Sequence, residues 1–169
     1  ILRKRKDFYF RMAEVRAVFP EKKLIQTSIG KAEYDYLIFA AGTTTNFYGN
    51  THIAEEAMPM KSVAEAMWLR NAILGNFERA VTCSSEEERQ ELLNVVIVGG
   101  GATGVEIAGA LSQMKRYVLP YDYPDMNAKR MHIYLLEAAD RLLSGMSPES
   151  SAKAKQFLEE MGVEVCFHK

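Results

Sequence analysis

The sequence predicts an α/β fold: a parallel sheet with flanking helices, preceded by a small antiparallel β-meander. Three observations predict it. Val95-Val96-Ile97-Val98 is a β-branched run that leads directly into a glycine cluster and then a helical pattern. Two further strand-like runs, Met131–Leu136 and Val163–Phe167, follow with helical pattern between them, so strand and helix alternate along the tail. Near the start, extended-looking residues fold back on themselves around Pro20-Glu21-Lys22.

In chain order, residues 8–18 are aromatic and β-branched enough to predict a strand, and Leu24-Ile25-Gln26-Thr27 its returning partner. After a turn at Gly30, Tyr34-Asp35-Tyr36-Leu37-Ile38-Phe39-Ala40-Ala41-Gly42 reads as a strand buried on both faces. Ser62-Val63-Ala64-Glu65 is a capping box opening a helix. Along that helix Val63, Ala66, Met67, Ile73, Leu74, Phe77, Ala80 and Val81 fall near one face, and core packing is the expectation for them. Ser85-Glu86-Glu87-Glu88 reads as a second capping box, with a short helix to Leu93. At the far end Ser147 is an N-cap, Pro148 the first helical residue and Gly162 the C-terminal stop.

Composition narrows the function. The 169 residues are 48% hydrophobic and 25% charged, with a net charge of −1. That balance argues against nucleic-acid binding, which calls for a basic excess. No apolar run reaches the ~18 residues of a membrane span. The start Ile1-Leu2-Arg3-Lys4-Arg5-Lys6 is too short and charged for a signal peptide, and we expect a piece of a longer chain. Its basic residues read as a solvated helix end. Cys83 and Cys166 are far apart without ligand spacing, so neither metal nor dithiol chemistry is expected, and a reduced, cytoplasmic setting fits them. His52, His132 and His168 have no partner at the spacing of a triad or ligand set, so no catalytic residue is assigned.

The chemistry lies in Gly99-Gly100-Gly101-Ala102-Thr103-Gly104, a GxGxxG between strand and helix. Gly99 permits the tight turn, Gly101 lets backbone approach a pyrophosphate, and Gly104 lets the helix pack closely on the strand. The N–H groups around Ala102 and Thr103, at the positive end of the helix dipole, would face the phosphates. Ala108 is small, one turn later. The second strand ends in Glu137, where a carboxylate can accept both hydroxyls of an adenosine ribose. This acid lies 33 residues past Gly104, against ~20 in the usual pattern, so residues 114–130 read as an insertion. Asp122 and Asp125 are nearer that spacing but sit in a Pro-broken stretch. Glu137 favours NADH over NADPH, because a 2′-phosphate would meet like charge; Arg141 nearby tempers that preference. Glu106 has two readings, a first-turn acid favoured by the dipole or a nucleotide contact.

With those motifs the sequence resembles the flavoprotein pyridine-nucleotide oxidoreductases that carry two dinucleotide-binding domains. It looks most like the type II, single-subunit NADH dehydrogenases. Tyr34–Thr43 is similar to the family's second flavin-contacting strand. Thr45-Asn46-Phe47-Tyr48-Gly49, then Ala57-Met58-Pro59-Met60-Lys61-Ser62, resembles its crossover into the NADH domain. Gly100–Gly109 resembles its NADH fingerprint, and Glu137–Leu143 its second strand end. The resemblance implies a Rossmann-like NADH domain at 56–169, lacking its last strands, after the closing part of an FAD domain at 1–55. It further implies that Ala41, Gly42 and Thr43 lie against FAD and that Glu106 lies beside the nicotinamide, orienting it. Hydride would pass from NADH to FAD and onward to quinone, with the cofactors performing the chemistry. The intact protein would sit peripherally on the cytoplasmic membrane face, through regions not in this chain.

Other readings remain: another FAD-dependent reductase or oxidase, a non-catalytic NADH-sensing module, or a glycine-turn methyltransferase. Because the family topology places later strands beside Val95–Val98, an exposed edge there predicts self-association of this segment.

Overall fold

The structure, a computed structural model, describes residues 6–124 and 126–169. The basic start at residues 1–5 and Asp125 lie outside the described residues. Backbone contacts divide the chain into two compact units, residues 1–46 and 47–169.

The first unit is an antiparallel meander of β1 (Val15–Phe19), β2 (Leu24–Thr27) and β3 (Gly30–Glu33), in the order β1-β2-β3. Pro20–Lys22 forms a single 3₁₀ turn whose fixed proline φ starts the reversal, and Lys23 completes it at φ +45°. The second reversal is tighter: Thr27 Oγ1 accepts from the Ile29 N–H, and Gly30 follows at φ +132°. Residues 8–14 were expected to belong to the first strand and do not. β2 ends at Thr27, and past Val15 the chain finds only Ser28, which exchanges hydrogen bonds with Glu14. Without a facing strand, Tyr9, Phe10 and Met12 are exposed.

A second expectation fails here for the same reason. Residues 34–42 form no ladder, and Tyr36 and Ile38 are 95% and 89% exposed rather than buried on both faces. Periodicity and apolar character describe what a strand buries, but a strand exists only where neighbours take up its N–H and C=O groups. Among the described residues only the Lys23 carbonyl does so, accepting from the Tyr34 N–H at the start of the run at 3.0 Å.

The second unit opens with α1 (Thr51–Glu56), capped by Asn50, and α2 (Val63–Thr82). The Ser62–Glu65 capping box is complete in both directions. Phe77 and Ala80 of α2 are buried, as expected, but Val63 and Met67 are exposed, because only the C-terminal half of the helix meets the core, and Val81 is exposed at the helix end. α3 (Glu86–Leu93) has Ser85 as N-cap, yet only half of its expected box. The Glu88 carboxylate instead accepts from Cys83 Sγ at 3.2 Å and faces Arg79.

From there strand and helix alternate. β4 (Asn94–Val98), β5 (His132–Glu137) and β6 (Val163–Phe167) form a parallel sheet in the order β4-β5-β6, with Ile97 facing Leu135 and Leu135 facing Val165. α4 (Ala102–Gln113) and α6 (Pro148–Glu160) are the crossover helices. The 114–130 insertion is largely helical: α4 runs on through a π-helical turn (Met114–Val118) into α5 (Leu119–Asp122), and a 3₁₀ turn at Ala128–Arg130 leads into β5. The core lies between sheet and helices, with Phe77, Leu93, Leu119, Met131, Ile133, Leu135 and Leu142 essentially inaccessible. Burying each such side chain contributes about 1.5–3 kcal/mol.

Candidate functional site

The carboxyl ends of β4 and β5 meet at the glycine turn, where helix start, loop and acid converge. Gly99 leaves β4 at φ +107°, a conformation that L side chains rarely adopt, and its N–H donates to the Leu136 carbonyl at 2.8 Å. The turn is therefore tied to the neighbouring strand before α4 begins. A Cβ on Gly104 would run into the Gly99 carbonyl oxygen and touch Leu135 Cδ1 at 3.4 Å. Ala108, one turn on, is buried on the sheet. Both features set α4 down close on its strand.

At the N-cap, Gly101 carries no side chain and none caps the helix. A Cβ on Gly101 would meet nothing within 4 Å. The space before the first turn is thus open, and Ala102 and Thr103 are exposed around it. Unlinked N–H groups at the positive end of the dipole make this a place where an anionic group is stabilised.

Glu137 ends β5 half-buried and is held at both oxygens. Oε2 accepts from the Gly100 N–H at 2.5 Å, and Oε1 from the Ala139 N–H at 2.8 Å. A carboxylate has about four lone-pair directions, so two remain for a ligand. Arg141 lies on the same loop but turns away, its Nη2 donating to the Ser144 carbonyl at 2.7 Å.

The structure thus brings Gly99, Gly101, Ala102, Thr103, Gly104 and Glu137 together. Glu106 lies apart from Glu137. It is exposed on the flank of α4, at a groove of about 470 Å³ lined also by Gly109 and Gln113 of α4 and Phe157 and Met161 at α6. Among the described residues no hydrogen bond or ion pair engages its side chain. Ala41, Gly42 and Thr43 lie in the first unit, exposed, with Gly42 at φ +77° and open space where its Cβ would be. Gly100 was not among the expected site residues; its signal is that it is the middle one of three consecutive glycines, at a position where GxGxxG accepts any residue.

A family model described as pyridine nucleotide-disulphide oxidoreductase matches residues 2–169. The chain belongs to that family. It is 34% identical over 169 residues to the type II NADH:quinone oxidoreductase NdhA of Mycobacterium tuberculosis, covering 98% of this chain and 36% of that one. It is 38% identical over 132 residues to the type II NADH:quinone oxidoreductase Ndh of the same organism, covering 78% of this chain and 28% of that one. A solved structure of NDH2 from Plasmodium falciparum in complex with NADH superposes with a TM-score of 0.73 at 28% identity, over 92% of this chain and 32% of that one. The family member described here thus spans about a third of the length of these relatives.

Proposed function

We propose that this chain is the NADH-binding segment of a flavoprotein NADH:quinone oxidoreductase. The observation that carries the reading is Glu137, fixed at the end of β5 against the glycine turn with two lone-pair directions free. The open space at Gly101 and the uncapped start of α4 fit a pyrophosphate, and Glu137 fits the ribose hydroxyls beside it. Gly101, Ala102 and Thr103 would face the phosphates, in a cradle that Gly99 shapes by its turn and Gly104 by seating the helix on the strand. Glu106 would contact the nicotinamide end, and Ala41, Gly42 and Thr43 would lie against FAD. The relatives, named as NADH:quinone oxidoreductases, support this assignment. When bound, the nucleotide supplies a hydride for the flavin, whose electrons go on to quinone. The residues of this chain bind, orient and select the nucleotide.

In this reading residues 1–55 close the flavin domain and residues 56–169 belong to the NADH domain. Among the described residues no helix is long and apolar enough to cross a membrane. A peripheral position on the cytoplasmic membrane face would come from other parts of the protein. Self-association is a further part of the reading: β4 has a strand partner on one side only among the described residues, and Val98 on it is 70% exposed. A strictly monomeric chain by light scattering at high concentration would remove it.

Thermal unfolding with each nucleotide tests the central claim. NADH should raise the midpoint more than NADPH at equal concentration, since binding to the folded state alone stabilises it. Equal or absent shifts would refute the proposal.

A further inference from the structure

Gly100 is held on both sides by the strand end that carries the acid. Its N–H donates to Glu137 Oε2 at 2.5 Å, and its carbonyl accepts from the Leu143 N–H at 2.8 Å. Leu143 takes φ +50° to make that contact. Gly100 is itself buried. A Cβ built on it would lie 2.6 Å from Leu142 Cδ2, 2.9 Å from Glu137 Oε2 and 3.1 Å from Glu137 Cβ. Unlike Gly99, Gly100 has no positive φ, and unlike Gly101 it faces no open space. The backbone conformation would accept a side chain there; only the neighbouring carboxylate and leucine exclude one.

From this we infer that Gly100 is a positioning residue for nucleotide selectivity: its N–H and its missing side chain together aim the Glu137 carboxylate. The inference rests on the NADH reading and deepens it. A charge-assisted hydrogen bond 2.5 Å long selects one orientation of the carboxylate. The Ala139 N–H alone fixes the other oxygen and leaves the group free to rotate about that contact. With Gly100 in place, the unused lone pairs keep one direction, suited to two neighbouring hydroxyls and repellent to a phosphate. A methyl at position 100 crowds the Glu137 side chain at both Oε2 and Cβ and turns the carboxylate aside, so ribose contact and phosphate repulsion weaken together. A substitution that merely loosens the loop would weaken both nucleotides alike.

The test compares NADH and NADPH affinity, by calorimetry on the full chain, for the parent and G100A. Because the new methyl also meets Leu142, a second comparison sets G100A/L142V against L142V, in which that contact is relieved. The Gly100 amide proton shift is followed by NMR without nucleotide in the parent and in E137Q. We expect G100A to lose about tenfold in NADH affinity with little loss for NADPH, so that their ratio falls. The same fall is expected within the L142V pair, which decides the matter if G100A alone does not fold. The Gly100 amide proton should move upfield in E137Q. An unchanged ratio in both pairs, or an unmoved amide proton, overturns the role of Gly100 and leaves the nucleotide reading intact. Failure of the parent chain to bind either nucleotide overturns the nucleotide reading, and this role with it.

Discussion

The phenol of Tyr123 donates a 2.7 Å hydrogen bond to Glu78 Oε1, joining the insertion after α4 to the C-terminal half of α2 across 45 residues of sequence. The ring of Tyr123 meets Phe77 edge-on, with centroids 5.9 Å apart. One side chain thus anchors residues 114–130 through a polar and an aromatic contact, and this insertion delays the acidic strand end to position 137.

Tyr123→Phe should keep the ring contact and lose about 1 kcal/mol at most, whereas Tyr123→Ala should lose about 1 kcal/mol more. Chemical denaturation of the two variants checks the difference. The Glu78 carboxylate accepts the phenol proton and pushes the Tyr123 pKa up. The folded state therefore holds this proton more tightly than the unfolded chain. That stabilisation is full below about pH 10 and is lost as pH rises through the folded-state value. Tyr123→Phe should flatten the alkaline limb of the stability profile.

Gly104→Ala and Gly101→Ala separate packing from binding. At 104 the methyl meets backbone, the Gly99 carbonyl, so α4 must lift from the sheet and stability should fall by about 1–3 kcal/mol. At 101 the methyl meets nothing, so the melting curve should hardly move while NADH affinity falls. Melting and calorimetry on both variants read the contrast; a large loss of stability at 101 would contradict it.

Leu135 is fully buried at the centre of β5, between Ile97 on β4 and Val165 on β6. Leu135→Ala should cost about 2–5 kcal/mol by denaturant titration. The exposed Val98→Ala, on the same sheet, should cost far less.

The capping box of α2 predicts an acid-sensitive helix start. Hydrogen bonds from the Lys61 N–H, then from the Ser62 N–H and hydroxyl, hold the Glu65 pKa below the ordinary glutamate range. Its stabilisation is present above about pH 4.3 and is lost as pH falls through the lower folded-state value. Ser62→Ala should cost about 1 kcal/mol at neutral pH. Glu65→Gln should reduce the acid dependence, as seen in unfolding midpoints between pH 3 and 6.

The βαβ tail was legible in the sequence because its signals are local. Val95–Val98, the glycine spacing, Ser147-Pro148 and Gly162 each specify conformation through backbone sterics or a bond within a few residues. The meander's turns at Pro20 and Gly30 were legible for the same reason. Burial was not, because it is a property of neighbours. The aromatic run 34–42 carries the composition of a central strand and lies exposed, and Val63 and Met67 share an apolar face with Phe77 yet have no core beneath them. The glycine turn and the acid on β5 could be named from sequence as separate pieces. Their connection could not: Gly100 and Glu137 are 37 residues apart, and only the pairing of β4 with β5 brings the amide to 2.5 Å from the carboxylate. The sequence determined which residue types reach the site, since turn and helix-start chemistry are written over short spans. The tertiary structure decided where the acid points, since a hydrogen bond between two strand ends depends on the register that aligns them.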